Sequence, residues 1–525
     1  MSQAKLLMYQ WLGQGTLIAF IFAVGASAGS FLNVVAWRLP RGENIVAPPS
    51  ACPRCGARLS WRENLPILGW ILLRGRCRHC GQPIAVRYLL MEILVALLFT
   101  GLWFLWGVDD RALTDAGIHL GAWRPEWAHE GMRLMWPMFV LGLILVSALV
   151  VSTIIDAQTF TIPAVIPWIA MGAGLVVHPV HAWFVERAGG LSGPHAWTIP
   201  AASGGEAWIF TSAGVAALAG LVVANLLLAL RVIPRSFADF EEWETAAQER
   251  LDAARAERSS GSAPPEAGGG TASPRESLGP VLFRTLVLTG PAVLGMFVGT
   301  LLLAPSGRGL VGLALGGGAG LVVGAVLRAR VAREPAGEPA PNDDTPIWAH
   351  YPHARREMLR ESLFVAPVLL AMIVGVWIGL GQAAPYEPDP LTGELVSVAA
   401  PPPLWLIALS ASAMGAVIGG GIVWVVRILG SLAFGKEAMG LGDVHLMAGV
   451  GAVLGWVDPL LAFFIAPFFG IAWALVAPLL GRLVKLPTVL PYGPHLALAT
   501  LLLLYGKPVE EWALSIILRT PVNLP

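Results

Sequence analysis

Two aspartates at the ends of apolar runs are the residues best placed to do chemistry. Asp156 follows the apolar stretch 140–155, and Asp443 closes the motif GLGD at 440–443, just before another apolar stretch. A carboxylate at a membrane boundary is costly to desolvate, so it is a functional candidate. Two such carboxylates, brought together by helix packing, can share a proton and activate a water. This is the chemistry of aspartic proteases.

Each aspartate also has a simpler interpretation. Asp156 would be a helix-end residue at the membrane interface, where an aspartate costs little. Asp443 would be an N-cap for the helix that follows it. Asp458 serves as a comparison, because it follows Trp456 at the opposite end of a span and is typical of an ordinary helix start before Pro459.

The elements that must position these aspartates are membrane spans. The chain is 56% hydrophobic and 13% charged, with a mean hydropathy of +0.68. Since a span needs roughly 20 apolar residues, we predict an all-α, polytopic transmembrane helical bundle of about 12 spans. No cleavable signal peptide is expected, because the first apolar run is too long. The predicted spans are 15–37, 88–107, 134–155, 162–180, 209–232, 283–304, 309–328, 362–381, 404–428, 444–457, 459–481 and 488–505.

The charges of the loops predict the orientation. Residues 38–87 contain nine arginines and two glutamates, a net charge of +7, whereas the loop 108–133 has a net charge of −2 and the loop 382–402 has acids only. Cytoplasmic loops retain the cations, so 38–87 is predicted to lie inside. Counting spans from there places both Asp156 and Asp443 at the cytoplasmic face.

All four cysteines fall in this basic loop, as two Cys-x-x-Cys pairs separated by 21 residues. Four thiolates at such spacing predict a closed, structural Zn²⁺ site; disulfides or free thiols are the alternative, which a cytoplasmic location disfavours. The neighbouring arginines are expected to lower the thiol pKa values and so to favour metal binding. His79 is expected to be a bystander. The predicted ligands are Cys52, Cys55, Cys77 and Cys80.

The chain is predicted to divide into five parts. An acidic, helix-compatible stretch at 235–258 and a Ser/Gly/Pro-rich stretch at 259–280 are assigned no chemistry, and the second is typical of a flexible linker. The parts are 1–37, a first span; 38–87, the cytoplasmic zinc-binding loop with all four cysteines; 88–180, membrane core with the first aspartate; 181–403, an insertion with about four extra spans and a flexible linker at 235–280; and 404–525, membrane core with the Gly-x-Gly-Asp motif and the C-terminal spans.

These residues together resemble the type IV prepilin peptidases, a family of Gly-x-Gly-Asp membrane aspartic proteases. The resemblance covers roughly residues 12–180 and 404–505 and departs from the family at Ala164, where an acid is usual, and at His445, where a lysine is common. It implies that Asp156 and Asp443 are the catalytic pair. The motifs are GSFLNVV at 29–35, the two Cys-x-x-Cys pairs, SWRENLP at 60–66, GW at 69–70, LRGRC at 73–77, RYLLME at 87–92, IP at 162–163, GKEAMGLGDVHL at 435–446 and PYGP at 491–494.

The resemblance further implies a function. Such an enzyme sits in the bacterial inner membrane and removes the basic leader from pilin or pseudopilin precursors at the cytoplasmic face. It then methylates the new N-terminus with S-adenosylmethionine, although no glycine-rich nucleotide loop is evident in this sequence. The expected partners are those precursors and the lipid bilayer; no nucleic acid is expected.

Two other classes remain open from the residues alone. One is a zinc-bearing membrane transporter with an aspartate proton relay, which needs carboxylates near mid-bilayer. The other is a non-catalytic scaffold for pilus or secretion assembly. The separation of the two carboxylates discriminates between them, because only the protease requires that they lie a few ångströms apart.

Overall fold

The computed structural model describes residues 3–108, 113–114, 123–189, 204–259, 351–388, 393, 395–480 and 491–519. The helices in chain order are α1 Gln3–Arg38, α2 Leu68–Leu72, α3 Val86–Trp106, α4 Met132–Thr159, α5 Val165–Arg187, α6 Ala207–Ala229, α7 Phe240–Ser259, α8 Ala354–Gln382, α9 Leu404–Phe434, α10 Leu441–Leu454, α11 Val457–Leu480, α12 Tyr492–Tyr505 and α13 Lys507–Leu518. Short 3-10 helices cover Leu39–Arg41 and Glu126–Glu130.

The prediction of a polytopic all-α membrane protein is confirmed. Within the described residues, eight helices are long and apolar enough to cross a membrane: α1, α3, α4, α5, α6, α8, α9 and α11. The predicted spans 444–457 and 488–505 correspond to the shorter apolar helices α10 and α12. The predicted spans 283–304 and 309–328 lie outside the described residues.

A two-stranded ribbon interrupts this helical pattern in the acidic loop 382–402. Strand β1, Tyr386–Pro388, pairs antiparallel with β2, Leu395–Ser397. Two such short strands form no core, so the ribbon is a local turn between α8 and α9.

By its internal contacts the chain forms two compact units. The first comprises Met1–Val215, Gly375–Val423 and Leu441–Pro525, and the second comprises Ala216–Val374 and Trp424–Gly440.

In the first unit α4 lies at the centre. It contacts α1, α3, α5, α10 and α12, and its side chains along much of its length are buried. This follows from its sequence, since a helix that is apolar all round can be enclosed by other helices. The end of α4 is therefore surrounded by other helices, and Asp156 lies in its last turn.

The second unit contains a buried ion pair. Arg427 is 1% exposed, and its guanidinium donates to both oxygens of Glu361 on α8, with Nη2 to Oε1 at 2.9 Å and Nε to Oε2 at 3.0 Å. It also donates to the Glu437 carboxylate and to the backbone carbonyl of Met439. Such a pair persists in an apolar environment only when its hydrogen bonds are satisfied. An inserted helix is thus joined to the segment that immediately precedes the Gly-x-Gly-Asp motif.

From Phe240 onward, the acidic stretch at 235–258 forms the helix α7, and the residues before this helix are fixed by polar contacts. The Tyr351 hydroxyl donates to Asp239 Oδ1 at 2.7 Å, and Arg356 Nη2 donates to Asp239 Oδ2 at 2.7 Å. These bonds, led by the tyrosine hydroxyl, lower the pKa of Asp239 to about 2. The Phe237 N–H donates to Glu357. Residues 260–280 of the predicted linker lie outside the described residues.

Candidate active site

Asp156 lies where α4 stops. The helix ends at Thr159, and Phe160 adopts a left-handed conformation (φ 55°) from which its N–H donates to the Asp156 carbonyl at 2.8 Å. This is a common way to end a helix, and Pro163 then prevents the helix from continuing directly. The Asp156 residue is 4% exposed.

Asp443 lies at the N-terminus of a helix, in the first turn of α10. A negative charge is favoured there because the first N–H groups of a helix have no partner within it. A Cβ on Gly442 would come within 2.8 Å of the Ile162 Cβ, so only glycine allows this close approach. The missing side chain therefore lets the start of α10 pack against the Ile-Pro turn that follows α4.

Gly493, in the first turn of α12, lies between the two carboxylates. A Cβ built on Gly493 would stand 2.5 Å from Asp156 Oδ2 and 3.2 Å from Asp443 Oδ1. The Gly493 backbone N–H hydrogen-bonds the Asp156 carboxyl. Both carboxylates therefore lie within a few ångströms of one point, on the glycine of the PYGP motif.

Three helix ends thus meet at the site: the C-terminus of α4 and the N-termini of α10 and α12. The two N-termini present partial positive charge toward buried acidic groups, which offsets part of the cost of burying them. Two neighbouring carboxyls cannot both ionise easily, so they are suited to hold one proton between them. An oxygen of each carboxyl lies close to the position that a Cβ on Gly493 would take, at 2.5 Å for Asp156 and 3.2 Å for Asp443.

Tyr492 and His445 lie close in sequence to Gly493 and Asp443 respectively. Tyr492 precedes Gly493 and directs its hydroxyl to the Phe463 carbonyl at 3.3 Å. His445, which replaces the lysine common in the family, has its ring edge-on to Trp168 at 5.6 Å between centroids. The His445 ring therefore makes an aromatic contact with Trp168 at this position.

Asp458 begins α11, as the sequence predicted. It lines a small cavity of about 70 Å³ together with Lys507, Trp106 and Trp127. The lysine places a cation in the same cavity, and neither Asp156 nor Asp443 is among its lining residues.

The four cysteines come together as predicted. One sulfur from each of Cys52, Cys55, Cys77 and Cys80 lies within 4.8 Å of all the others, and all four are free of disulfides. The Cys52 and Cys80 sulfurs are 3.9 Å apart. Four thiolates at tetrahedral Zn–S distances of about 2.3 Å are separated by about 3.8 Å, so the cluster has the dimensions of a metal site.

The two cysteine pairs are built in the same way. Gly56 N–H donates to the Cys52 carbonyl and Gly81 N–H to the Cys77 carbonyl, each at 2.9 Å. Both glycines have positive φ, 70° and 69°, a conformation that favours glycine. The sequence Cys-x-x-Cys-Gly therefore produces two equivalent turns that aim their sulfurs at one point.

The expectation that the arginines lower the thiol pKa values is wrong. Although the Gln82 backbone N–H lowers the pKa of Cys80, burial and the neighbouring thiols raise it to about 11. The pKa of Cys52 is lowered to about 7 by the backbone N–H groups of Cys55 and Arg54, partly opposed by burial. The backbone, and not the arginine charge, thus stabilises this thiolate. His79 lies outside the cluster, with its Nε2 at 3.6 Å from Glu63.

Two protein-family models match parts of this chain that contain the cysteine cluster and Asp443. Residues 23–106 match the bacterial peptidase A24 N-terminal domain, and residues 391–475 match the type IV leader peptidase family. The first match contains the four cysteines and the second contains Asp443. Asp156 lies in neither match, and it is the fold that brings it to Asp443. No solved structure matches the chain.

Several curated relatives are also similar. A prepilin leader peptidase/N-methyltransferase of Myxococcus xanthus is 57% identical over 86 residues, which are 16% of this chain and 26% of that protein. One of Klebsiella pneumoniae is 36% identical over 181 residues, 33% of this chain and 67% of that protein. One of Burkholderia pseudomallei is 38% identical over 129 residues, 20% of this chain and 42% of that protein.

The chain thus spans between about a quarter and two thirds of the length of these relatives. The Klebsiella match combines more than 30% identity with two thirds of the relative's length. Together with the two family matches and the meeting of Asp156 with the Gly-x-Gly-Asp carboxylate, it shows that this chain belongs to the type IV leader peptidase family.

Proposed function

We propose that this protein is an aspartic endopeptidase of the bacterial inner membrane that removes the basic leader from pilin-like or pseudopilin-like precursors. The observation that carries the proposal is the approach of Asp156 and Asp443 to the same glycine, Gly493. The printed names of the relatives, prepilin leader peptidase/N-methyltransferase, support the choice of substrate.

In the proposed mechanism one carboxylate of the pair is ionised and takes a proton from a water molecule held between them. That water attacks the scissile carbonyl carbon. The other carboxyl is protonated and donates to the carbonyl oxygen. As the tetrahedral intermediate collapses, the C–N bond breaks, the leaving nitrogen takes the proton that came from the water, and the hydroxyl on the carbon returns its proton to the other carboxyl. The two roles belong to the pair, since the titration of coupled groups is shared. Burial of both aspartates keeps bulk water away from the reacting atoms.

The position of the pair supports cleavage at a membrane boundary. Asp156 lies in the last turn of α4 and Asp443 in the first turn of α10. The charge of the loop 38–87 favours the cytoplasmic side for this end of the bundle. A proton-relay transporter needs carboxylates nearer the middle of the bilayer, so this placement favours the peptidase.

We further propose that the four cysteines hold one structural Zn²⁺. Their sulfurs fit a closed tetrahedron with no open position, so the ion would stabilise the loop and take no part in peptide hydrolysis. The relatives' printed names, prepilin leader peptidase/N-methyltransferase, also support methylation of the new N-terminus with S-adenosylmethionine. No described residue is assigned to that cofactor.

The experiment that tests the function uses the purified full-length protein in lipid vesicles with a synthetic pseudopilin-like precursor. The family resemblance implies a cut after a glycine that precedes the apolar helix. Mass spectrometry of the products should therefore find the intact leader and a mature chain that begins directly after that glycine. A precursor in which that glycine is replaced by a bulky residue is the control. Proton flux in the vesicles without precursor cleavage would instead favour the transporter.

A further inference from the structure

The loop between α1 and α3 exposes apolar side chains that the proposed reaction does not use. They lie between the two cysteine pairs, on α2 and on the turn before it. Their exposed fractions are 71% for Trp61, 56% for Leu68, 52% for Ile71 and 73% for Leu72. We refer to these four residues as the apolar lip. Large apolar side chains exposed together in one short segment mark a candidate surface for a membrane or a partner.

A hydrogen bond fixes the lip next to a membrane span. The Ile67 N–H, at the start of α2, donates to Glu92 Oε2 on α3 at 2.6 Å. Ile67 adopts φ 62°, which a β-branched residue rarely does. The turn is therefore held in place by its contact with α3. Glu92 is the seventh residue of α3, about 9 Å along the helix axis from its start.

Aromatic and arginine side chains mark the level of the membrane–water boundary at this end of α1 and α3. The Arg41 guanidinium stacks on Trp37 at 3.6 Å, and the Arg87 guanidinium lies 5.2 Å from the Tyr88 ring. Tryptophan, tyrosine and arginine favour this boundary because each has an apolar body and a polar end. Glu92 lies a full turn deeper along α3 than Tyr88.

The bond from Ile67 to Glu92 therefore holds the start of α2 beside the first two turns of α3, at the level of the aromatic boundary, since helical side chains lean toward the N-terminus of their helix. At this level, exposed apolar side chains favour the lipid interface over water. Charge points to the same surroundings, because two exposed arginines, Arg62 and Arg74, flank the lip, and Arg62 lies 5.2 Å from the Trp61 ring. Arginines next to an interfacial apolar face attract anionic headgroups.

We propose that the apolar lip inserts into the headgroup–acyl boundary of the adjacent leaflet and that its flanking arginines bind anionic phospholipid. The cysteine cluster is then held on the membrane surface. The other candidate occupant, the apolar helix of a basic-leader substrate, is disfavoured by charge, since the loop has a net charge of +7. The proposal does not depend on the peptidase function.

The test places the environment-sensitive fluorescent amino acid Anap at position 72 of the full-length protein. The protein is reconstituted in vesicles of phosphatidylcholine and phosphatidylglycerol, with or without phospholipid that has a doxyl quencher on the upper acyl chain. The control places Anap at position 54, where Arg54 is exposed on the first cysteine turn. Position 68 provides a second lip variant, and retained metal content verifies the fold of each.

We expect doxyl lipid to reduce the emission at positions 72 and 68 by about twofold or more, as for a side chain at the acyl boundary, with little change at position 54. Omitting phosphatidylglycerol should weaken the quenching at the lip. Absence of quenching at both lip positions, or equal quenching at position 54, would overturn the proposal. Emission that changes only when an apolar precursor helix is added would overturn it as well, and would identify a protein-docking surface instead.

Discussion

Gly493→Ala should inactivate the site without unfolding the protein. The added Cβ would stand 2.5 Å from Asp156 Oδ2, about 0.9 Å closer than the shortest ordinary contact of 3.4 Å, and 3.2 Å from Asp443 Oδ1. One or both carboxylates must move by nearly 1 Å. A misplacement of about 1 Å costs a catalytic constellation about 10²-fold in rate. We therefore expect kcat for leader cleavage to fall by about 10²-fold while KM changes little.

Gly172→Ala is the matched control, because a Cβ there meets nothing within 4 Å. It makes the same chemical change in a helix of the same unit. Since the added Cβ contacts no neighbouring group and alanine is a better helix former than glycine, kcat should stay within about twofold of the parent value. The assay is cleavage of a precursor by purified protein, with thermal unfolding recorded for both variants. A Gly493→Ala protein with the kcat of the parent would refute the assigned geometry. A loss shared equally by Gly172→Ala would also refute it.

Three further outcomes are expected. Cys77→Ser should lose the bound zinc found by elemental analysis and lower activity only in proportion to folding, whereas His79→Ala should keep the metal; a zinc-free parent protein would contradict this. Glu361→Gln removes one of the two carboxylates that neutralise a buried guanidinium, Glu437 being the other, and should lower the free energy of unfolding by up to about 3–5 kcal/mol; Asp239→Asn, in a half-exposed pair, should cost under about 1 kcal/mol, and equal losses would show that burial is unimportant. Deleting residues 259–280 should leave cleavage intact, since they lie outside every motif; lost cleavage at normal expression would make them a substrate or partner contact.

The membrane architecture was predictable from the sequence because hydropathy reports burial in lipid directly. The eight long spans and the two short helices of the described residues follow from apolar runs. The cysteine cluster was also predictable, because each Cys-x-x-Cys pair forms a local turn. The one long-range condition is that the two turns come together. The pairing of Asp156 with Asp443 was predicted by counting spans, and in the fold both carboxyls lie close to Gly493.

The contacts that fix the site were not predictable in the same way. The PYGP motif was recognised as part of the resemblance, but nothing in four letters places Gly493 against two carboxylates. Arg427 and Glu361 are 66 positions apart and belong to different helices, so their ion pair depends on how α8 and α9 pack. The bond from Ile67 to Glu92 likewise depends on where the loop folds back against α3. Hydrophobic periodicity reports which residues are buried but not which polar groups meet.

The measurement that tests the central claim most directly is kcat for leader cleavage by Asp156→Asn and Asp443→Asn, each purified and reconstituted beside the parent protein. Asparagine keeps the size of the side chain and removes its ability to exchange a proton. Each variant should lose at least about 10²-fold in kcat, the usual contribution of a general acid or base, and the double variant should lose little more than either single variant, because the two groups act as a pair. Near-parental cleavage by either single variant would contradict the account.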